Sequence, residues 1–192
     1  MNDKAPATPQ SGHFHAVRFY ENAAALSRIV AEFLGEGLAQ GCPALLIGTL
    51  DHRAAIEAAL SARGFDVARL RETGELTVAD ADAILRKFMR EGMPDRTVFG
   101  SVMAQVLDDI AARCGSGTIR AYGEMVDVLW RAGRSVAAVK LEMLWNELAR
   151  THDFSLLCGY SMGNFYKSAS IDEICDHHTH VVSADGQYGR VV

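Results

Sequence analysis

The sequence predicts an α/β fold: three layers, with a mostly parallel sheet of about five strands and helices on both faces. Three observations carry this. Strand-like runs alternate along the chain with amphipathic helical segments, the order that lays strands in parallel under crossover helices. The run 43–49 (PALLIGT) is apolar or small throughout, as a strand covered on both faces must be. A chain of 192 residues with 49% hydrophobic residues is also long enough to bury a core under two helical layers without disulfides.

The elements follow in order. Residues 1–12 hold two of the four prolines and are expected to form a disordered tail, followed by a folded unit over 13–182 and a C-terminal tail over 183–192. Segment 13–20 (HFHAVRFY) alternates and ends in aromatics, which predicts a strand. Over 21–40, Leu26, Ile29, Val30, Phe33, Leu34 and Leu38 share a helical face, and Gly41 ends the helix. After the strand 43–49, Asp51 is placed to cap a helix that turns Ile56 and Leu60 inward and stops near Gly64. A strand is expected at 76–79, then helices at 80–90 and 95–113, the latter with Val98, Val102, Val106 and Ile110 inward. The segment 118–123 (TIRAYG) is a strand, 125–132 and 135–152 are helices broken at Gly133, 154–160 (FSLLCGY) is a strand, and 171–182 is a closing helix.

Composition excludes several classes. A net charge of −5 without a Lys/Arg run argues against nucleic acid. No apolar run is long enough for a membrane span, and the N-terminus lacks a signal peptide's apolar stretch, so a cytoplasmic protein is expected. Cys42, Cys114, Cys158 and Cys175 form no Cys-x-x-Cys pair and read as free thiols.

Ligands of parallel sheets bind beyond the carboxyl ends of the strands, here near Tyr20, Thr49, Glu124 and Ser161. None of the four lysines (Lys4, Lys87, Lys140, Lys167) follows a glycine, so no phosphate loop is present after PALLIGT or elsewhere. Gly159-Tyr160-Ser161-Met162-Gly163 matches the nucleophile turn of hydrolases, with Asp172 and histidines beyond it, but no HGGG-like segment supplies an oxyanion hole. A tight strand-to-loop turn accounts for the same residues.

The cluster Cys175-x-His177-His178-x-His180 is dense in donors. We read it as a polar helical face with one inward cysteine. No metal and no cofactor are expected; the alternative metal site would use Cys175 and His178. The remaining signal is aromatic. Tyr20, Thr49, Tyr122, Trp130, Trp145 and Tyr160 are expected to line an apolar pocket, with His15, Glu124 and Asn146 as its few polar anchors. The competing reading makes both tryptophans core and Glu124 a helix cap.

The stretches HAVRFYEN, VAEFLGEGLAQGCPALLIGT, RAYGEMVDVLW, LEMLWNEL, FSLLCGYSM and ICDHHTHV, in this order, resemble the MEDS domain. That sensory domain is named for methanogen and methylotroph proteins and the dichloromethane-responsive regulator. The resemblance implies a RecA/KaiC-like fold that has lost its Walker motifs. It also implies a non-enzymatic sensory role in signal transduction or transcription regulation. A small organic ligand would be bound, and its state passed to a signalling partner (a kinase or regulator) or through a homodimer. His15, Phe19 and Tyr20 fall on the family's opening motif. Glu124 falls where a RecA-like fold carries its Walker B acid. Glu142, Trp145 and Asn146 fall on the helix signature, and Cys175 and His178 on the closing motif. Members are often fused to an output module, for which this chain has no room. The alternatives are a small hydrolase using Ser161, a residual nucleotide-binding ATPase, and a pocketless interaction scaffold.

Overall fold

A computed structural model describes residues 14–115, 117–163, 174–183 and 185–191. The expected tail 1–12, Asp172 and the start of the expected closing helix lie outside the described residues. The elements are β1 (Phe14–Tyr20), α1 (Ala23–Ala39), β2 (Ala44–Gly48), α2 (Leu50–Ala62), α3 (Val67–Thr73), β3 (Leu76–Asp80), α4 (Ala81–Phe88), β4 (Met89–Arg90), β5 (Met93–Pro94), α5 (Arg96–Cys114), β6 (Ile119–Gly123), α6 (Met125–Arg131), α7 (Ser135–Leu148), β7 (Phe154–Ser161), β8 (His180–Val182) and β9 (Tyr188–Arg190).

One seven-stranded sheet runs β3-β2-β6-β7-β1-β8-β9, and β4 and β5 form a separate two-stranded ribbon. All pairings in the large sheet are parallel except β8 with β9. Alternation along each strand divides the core in two. Phe14, Ala16, Tyr20, Leu46, Tyr122 and Leu157 pack against α1, α2 and α3. Val17, Ile47, Ala121, Leu156, Cys158 and Tyr160 pack against α4 to α7. The three-layer α/β architecture is the expected one.

Several details differ from the expectation. The sheet has seven strands, because the chain beyond Ile174 does not continue as a helix. After one turn it extends as β8 beside β1, with Ala16 opposite His180. Thr179 fastens this join: its N–H and its hydroxyl both donate to the His15 carbonyl. Residues 188–190, inside the expected C-terminal tail, return as β9. The N-cap of α2 is Thr49, not Asp51. In α5 the fully buried stripe is Phe99, Met103, Leu107 and Ile110, with Val98, Val102 and Val106 beside it. The larger Phe99 takes the inward place by packing edge-on against Phe88 and Trp145, at 5.2 and 5.3 Å. Helix α3, unforeseen, starts where the Asp66 side chain accepts the Arg69 N–H.

Candidate functional site at the carboxyl edge

Glu124 follows β6 directly and is fully buried. Its carboxylate accepts the Thr49 N–H at 2.8 Å and the Thr49 hydroxyl at 3.2 Å, from the end of β2. His52 Nδ1 lies at 2.7 Å and the Arg131 guanidinium at 3.2 Å. Gly48 permits this approach, since a Cβ there would stand 3.3 Å from the Glu124 carboxylate.

One turn along α6, Asp127 is also fully buried. It accepts the Tyr20 hydroxyl from β1 at 2.9 Å, the Ser161 N–H from β7 at 2.9 Å, and Arg131 Nε at 2.8 Å. Two carboxylates therefore tie together the carboxyl ends of β1, β2, β6 and β7, and Arg131 spans both. Burial pushes the Asp127 carboxyl up from its ordinary range, with the Ser161 N–H, Arg131 and Tyr20 pulling against it. Burial and the facing Asp127 push the Tyr20 phenol well up. The hydrogen bond to Glu124 raises His52 above 6.5.

A second polar cluster lies on the α4–α7 side of the sheet. Fully buried His15 (β1), Glu142 (α7) and Cys158 (β7) meet buried His178 there. Glu142 also accepts the Tyr160 hydroxyl at 2.7 Å. Burial opposes a charge on Glu142, and the facing His178 and His15 outweigh it and hold its carboxyl well below the usual range. Burial and the neighbouring His178 push His15 down, and burial beside Glu142 pushes the Cys158 thiol well up.

The nine residues expected to line one pocket fall in three places. Tyr20, Thr49 and Glu124 stand at the carboxyl edge. His15, Asn146 and Tyr160 belong to the second cluster, where His15 Nδ1 and Asn146 Oδ1 are 2.9 Å apart. Tyr122, Trp130 and Trp145 are buried core. Tyr122 faces α1 while Trp145 packs on Phe99 and Phe154 across the sheet. Trp130 stacks edge-on against Tyr160 at 5.6 Å. A hollow of about 290 Å³ opens at the opposite, amino edge of the sheet, lined by Leu107, Ala111, Ile119, Thr151, His152 and Asp153 among others.

Of the donors in the closing motif, only His178 joins the buried cluster; Cys175 is partly exposed and outside it. Sequence reading missed His52, Asp127 and Arg131. The spacing Glu124, Asp127, Arg131 (i, i+3, i+7) places all three on one helical face and was the available signal. Ser161 spends its N–H on Asp127, and among the described residues no histidine hydrogen-bonds its hydroxyl.

Residues 14–179 match the MEDS family, the MEthanogen/methylotroph, DcmR Sensory domain. The chain belongs to the MEDS family. Among curated proteins, none matches the MEDS chain by sequence. Among solved structures, this MEDS domain is similar to a KaiC-like protein from the hyperthermophilic archaeon Pyrococcus horikoshii, with a TM-score of 0.56 and 11% identity over 88% of this chain and 70% of that one. At that identity the likeness concerns the fold: the MEDS domain has a KaiC-like, RecA-type architecture. Among the described residues, no helix is long and apolar enough to cross a membrane.

Proposed function

We infer that this MEDS domain is a non-enzymatic sensor that takes one small, neutral, weakly polar organic molecule at the carboxyl edge of its sheet. Tyr20, Thr49, His52 and Arg131, gathered around Glu124 and Asp127, are the residues we assign to it. The observation that carries this reading is the Arg131 bridge. Its side chain is 41% exposed, yet it reaches two carboxylates that are 0% exposed. A ligand that hydrogen-bonds either carboxylate competes with Arg131, and releasing that one side chain alters the surface of α6. The two acids disfavour an anionic ligand, and Arg131 and His52, already set against them, disfavour a cationic one, which favours a neutral molecule.

The altered surface is then read by a signalling partner or by a second copy of the chain. Val136 and Met143, seven residues apart on α7 and 72% and 40% exposed, offer an apolar contact for either. Light scattering separates the homodimer from the 20.8 kDa monomer.

Native mass spectrometry of freshly purified protein, paired with assays for ester and ATP turnover, tests the sensor reading. A sensor retains or accepts a small neutral molecule and turns over neither substrate. Ester turnover abolished by Ser161→Ala would replace it with a hydrolase.

A further inference from the structure

The buried cluster of His15, Glu142, Cys158 and His178 plays no part in the ligand reading above. Its four side chains come from four separate pieces of chain: β1, α7, β7 and the turn that precedes β8. Their potential ligand atoms all lie within 4.8 Å of one another. His15 Nε2 is 3.2 Å from Glu142 Oε2 and 3.4 Å from Cys158 Sγ. Cys158 Sγ is 3.5 Å from Glu142 Oε2, and His178 Nε2 is 3.4 Å from Glu142 Oε1. Ligand bonds of about 2.0–2.3 Å in a tetrahedral arrangement put neighbouring donors about 3.3–3.7 Å apart. The contacts among His15, Cys158 and Glu142 stand at about those spacings, and His178 Nε2 lies within 4.8 Å of the other donors.

The outer faces of both imidazoles are committed. His178 Nδ1 lies 2.7 Å from the Ile174 carbonyl, which only accepts, so Nδ1 carries the proton. The Asn146 amide nitrogen donates to the His177 carbonyl at 2.9 Å, which fixes its oxygen toward His15 and puts a proton on His15 Nδ1 as well. In the neutral rings both Nε2 lone pairs therefore point inward, at a carboxylate and a thiol. Among the described residues, buried His178 Nε2 makes no hydrogen bond, its nearest acidic neighbour being Glu142 Oε1 at 3.4 Å. Two nitrogens, a sulfur and a carboxylate face a common centre, and a cation there would satisfy all of them at once. An outward Nδ1–H held by a carbonyl or amide oxygen is the usual support of a metal-binding histidine.

The geometry points to a site for one divalent transition-metal ion of the zinc class, ligated by His15 Nε2, His178 Nε2, Glu142 and Cys158 Sγ. A nitrogen, sulfur and carboxylate set suits zinc and not magnesium or calcium, which prefer all-oxygen shells. Four protein ligands close the coordination sphere, so the ion is structural. It fastens the segment 174–182, which follows an intervening stretch of chain, onto β1, β7 and α7. The competing state holds the same four groups together with protons alone.

Cobalt(II) is the probe. The full chain is produced in cobalt-supplemented medium, and separately refolded from chelator with one equivalent of cobalt; zinc and cobalt are counted by elemental analysis. The site predicts one metal per chain, the intense visible absorption of tetrahedral cobalt, and a thiolate-to-cobalt charge-transfer band. Cys158→Ser removes that band. Asn146→Ala, which leaves all four ligands in place, weakens cobalt binding by about 10–100-fold. The wild-type spectrum reads the ligand set even where a variant fails to fold. Folded wild-type protein without metal after both preparations overturns the site. So does bound cobalt that lacks the charge-transfer band or is indifferent to Cys158→Ser; either outcome leaves the proton-shared cluster.

Discussion

Glu124 accepts the backbone N–H of Thr49 at 2.8 Å, so a carboxylate of the protein sits at the mouth of α2, where a RecA-type sheet presents its ligand edge. The start of α1 is likewise occupied: the Asn22 side chain accepts the Ala25 N–H at 2.8 Å. The N-termini of α1 and α2 at this edge are thus supplied with acceptors by the chain itself.

Nucleoside triphosphates are therefore expected not to bind at physiological concentration. No lysine follows a glycine in a phosphate loop, and Glu124 and Asp127 at the edge repel a phosphate. Isothermal calorimetry with ATP and GTP checks this; micromolar, magnesium-dependent affinity would contradict it.

Tyr20→Phe removes one of three partners of a buried carboxylate. Asp127 keeps the Ser161 N–H and Arg131, so the cost is expected at about 1–3 kcal/mol in urea denaturation. An unchanged midpoint would mean that the Tyr20 hydroxyl does not hold Asp127.

His52 makes stability depend on pH. Its folded pKa lies above the ordinary 6.5, because it bonds Glu124 while Asp127 and Arg131 face it with opposite effects. The folded state therefore binds the proton more tightly than the unfolded chain. The resulting stability is fully present below pH 6.5 and is lost as pH rises through the folded pKa. Denaturation of wild type and His52→Ala from about pH 5 to about pH 8 should show the wild-type advantage shrinking upward. An advantage that grows with pH would reverse the assignment.

Trp145→Ala tests its place in the core. The indole is 1% exposed and packs edge-on against Phe99 and Phe154, at 5.3 and 5.7 Å. Truncation is expected to cost about 3–5 kcal/mol and to leave the domain barely folded. A loss below about 1 kcal/mol would return Trp145 to a cavity wall.

The layers, the five main strands and the inward face of α1 were legible because apolar period and run length report burial directly. Tyr20, Thr49 and Glu124 were legible as edge residues because strand ends show in the sequence. Which face a residue takes was not. Tyr122 and Trp145 both stand near strands, yet they lie on opposite sides of the sheet. The approach of His178 to His15 depends on β8 docking on β1, a pairing across more than 160 residues that no local pattern encodes. Helical spacing in the closing motif suggested Cys175 beside His178; the extended path of β8 and the turn before it brings His178 to Cys158 instead.

The most direct test of the sensor is an amide NMR titration with a panel of small neutral compounds: short alcohols, aldehydes and haloalkanes. The account predicts saturable shifts for at least one compound at Tyr20, Thr49, His52, Glu124 and Arg131. Shifts centred on Thr151, His152 and Asp153 would move the site to the amino-edge hollow, and no saturable shift with any compound would contradict a ligand site at the carboxyl edge.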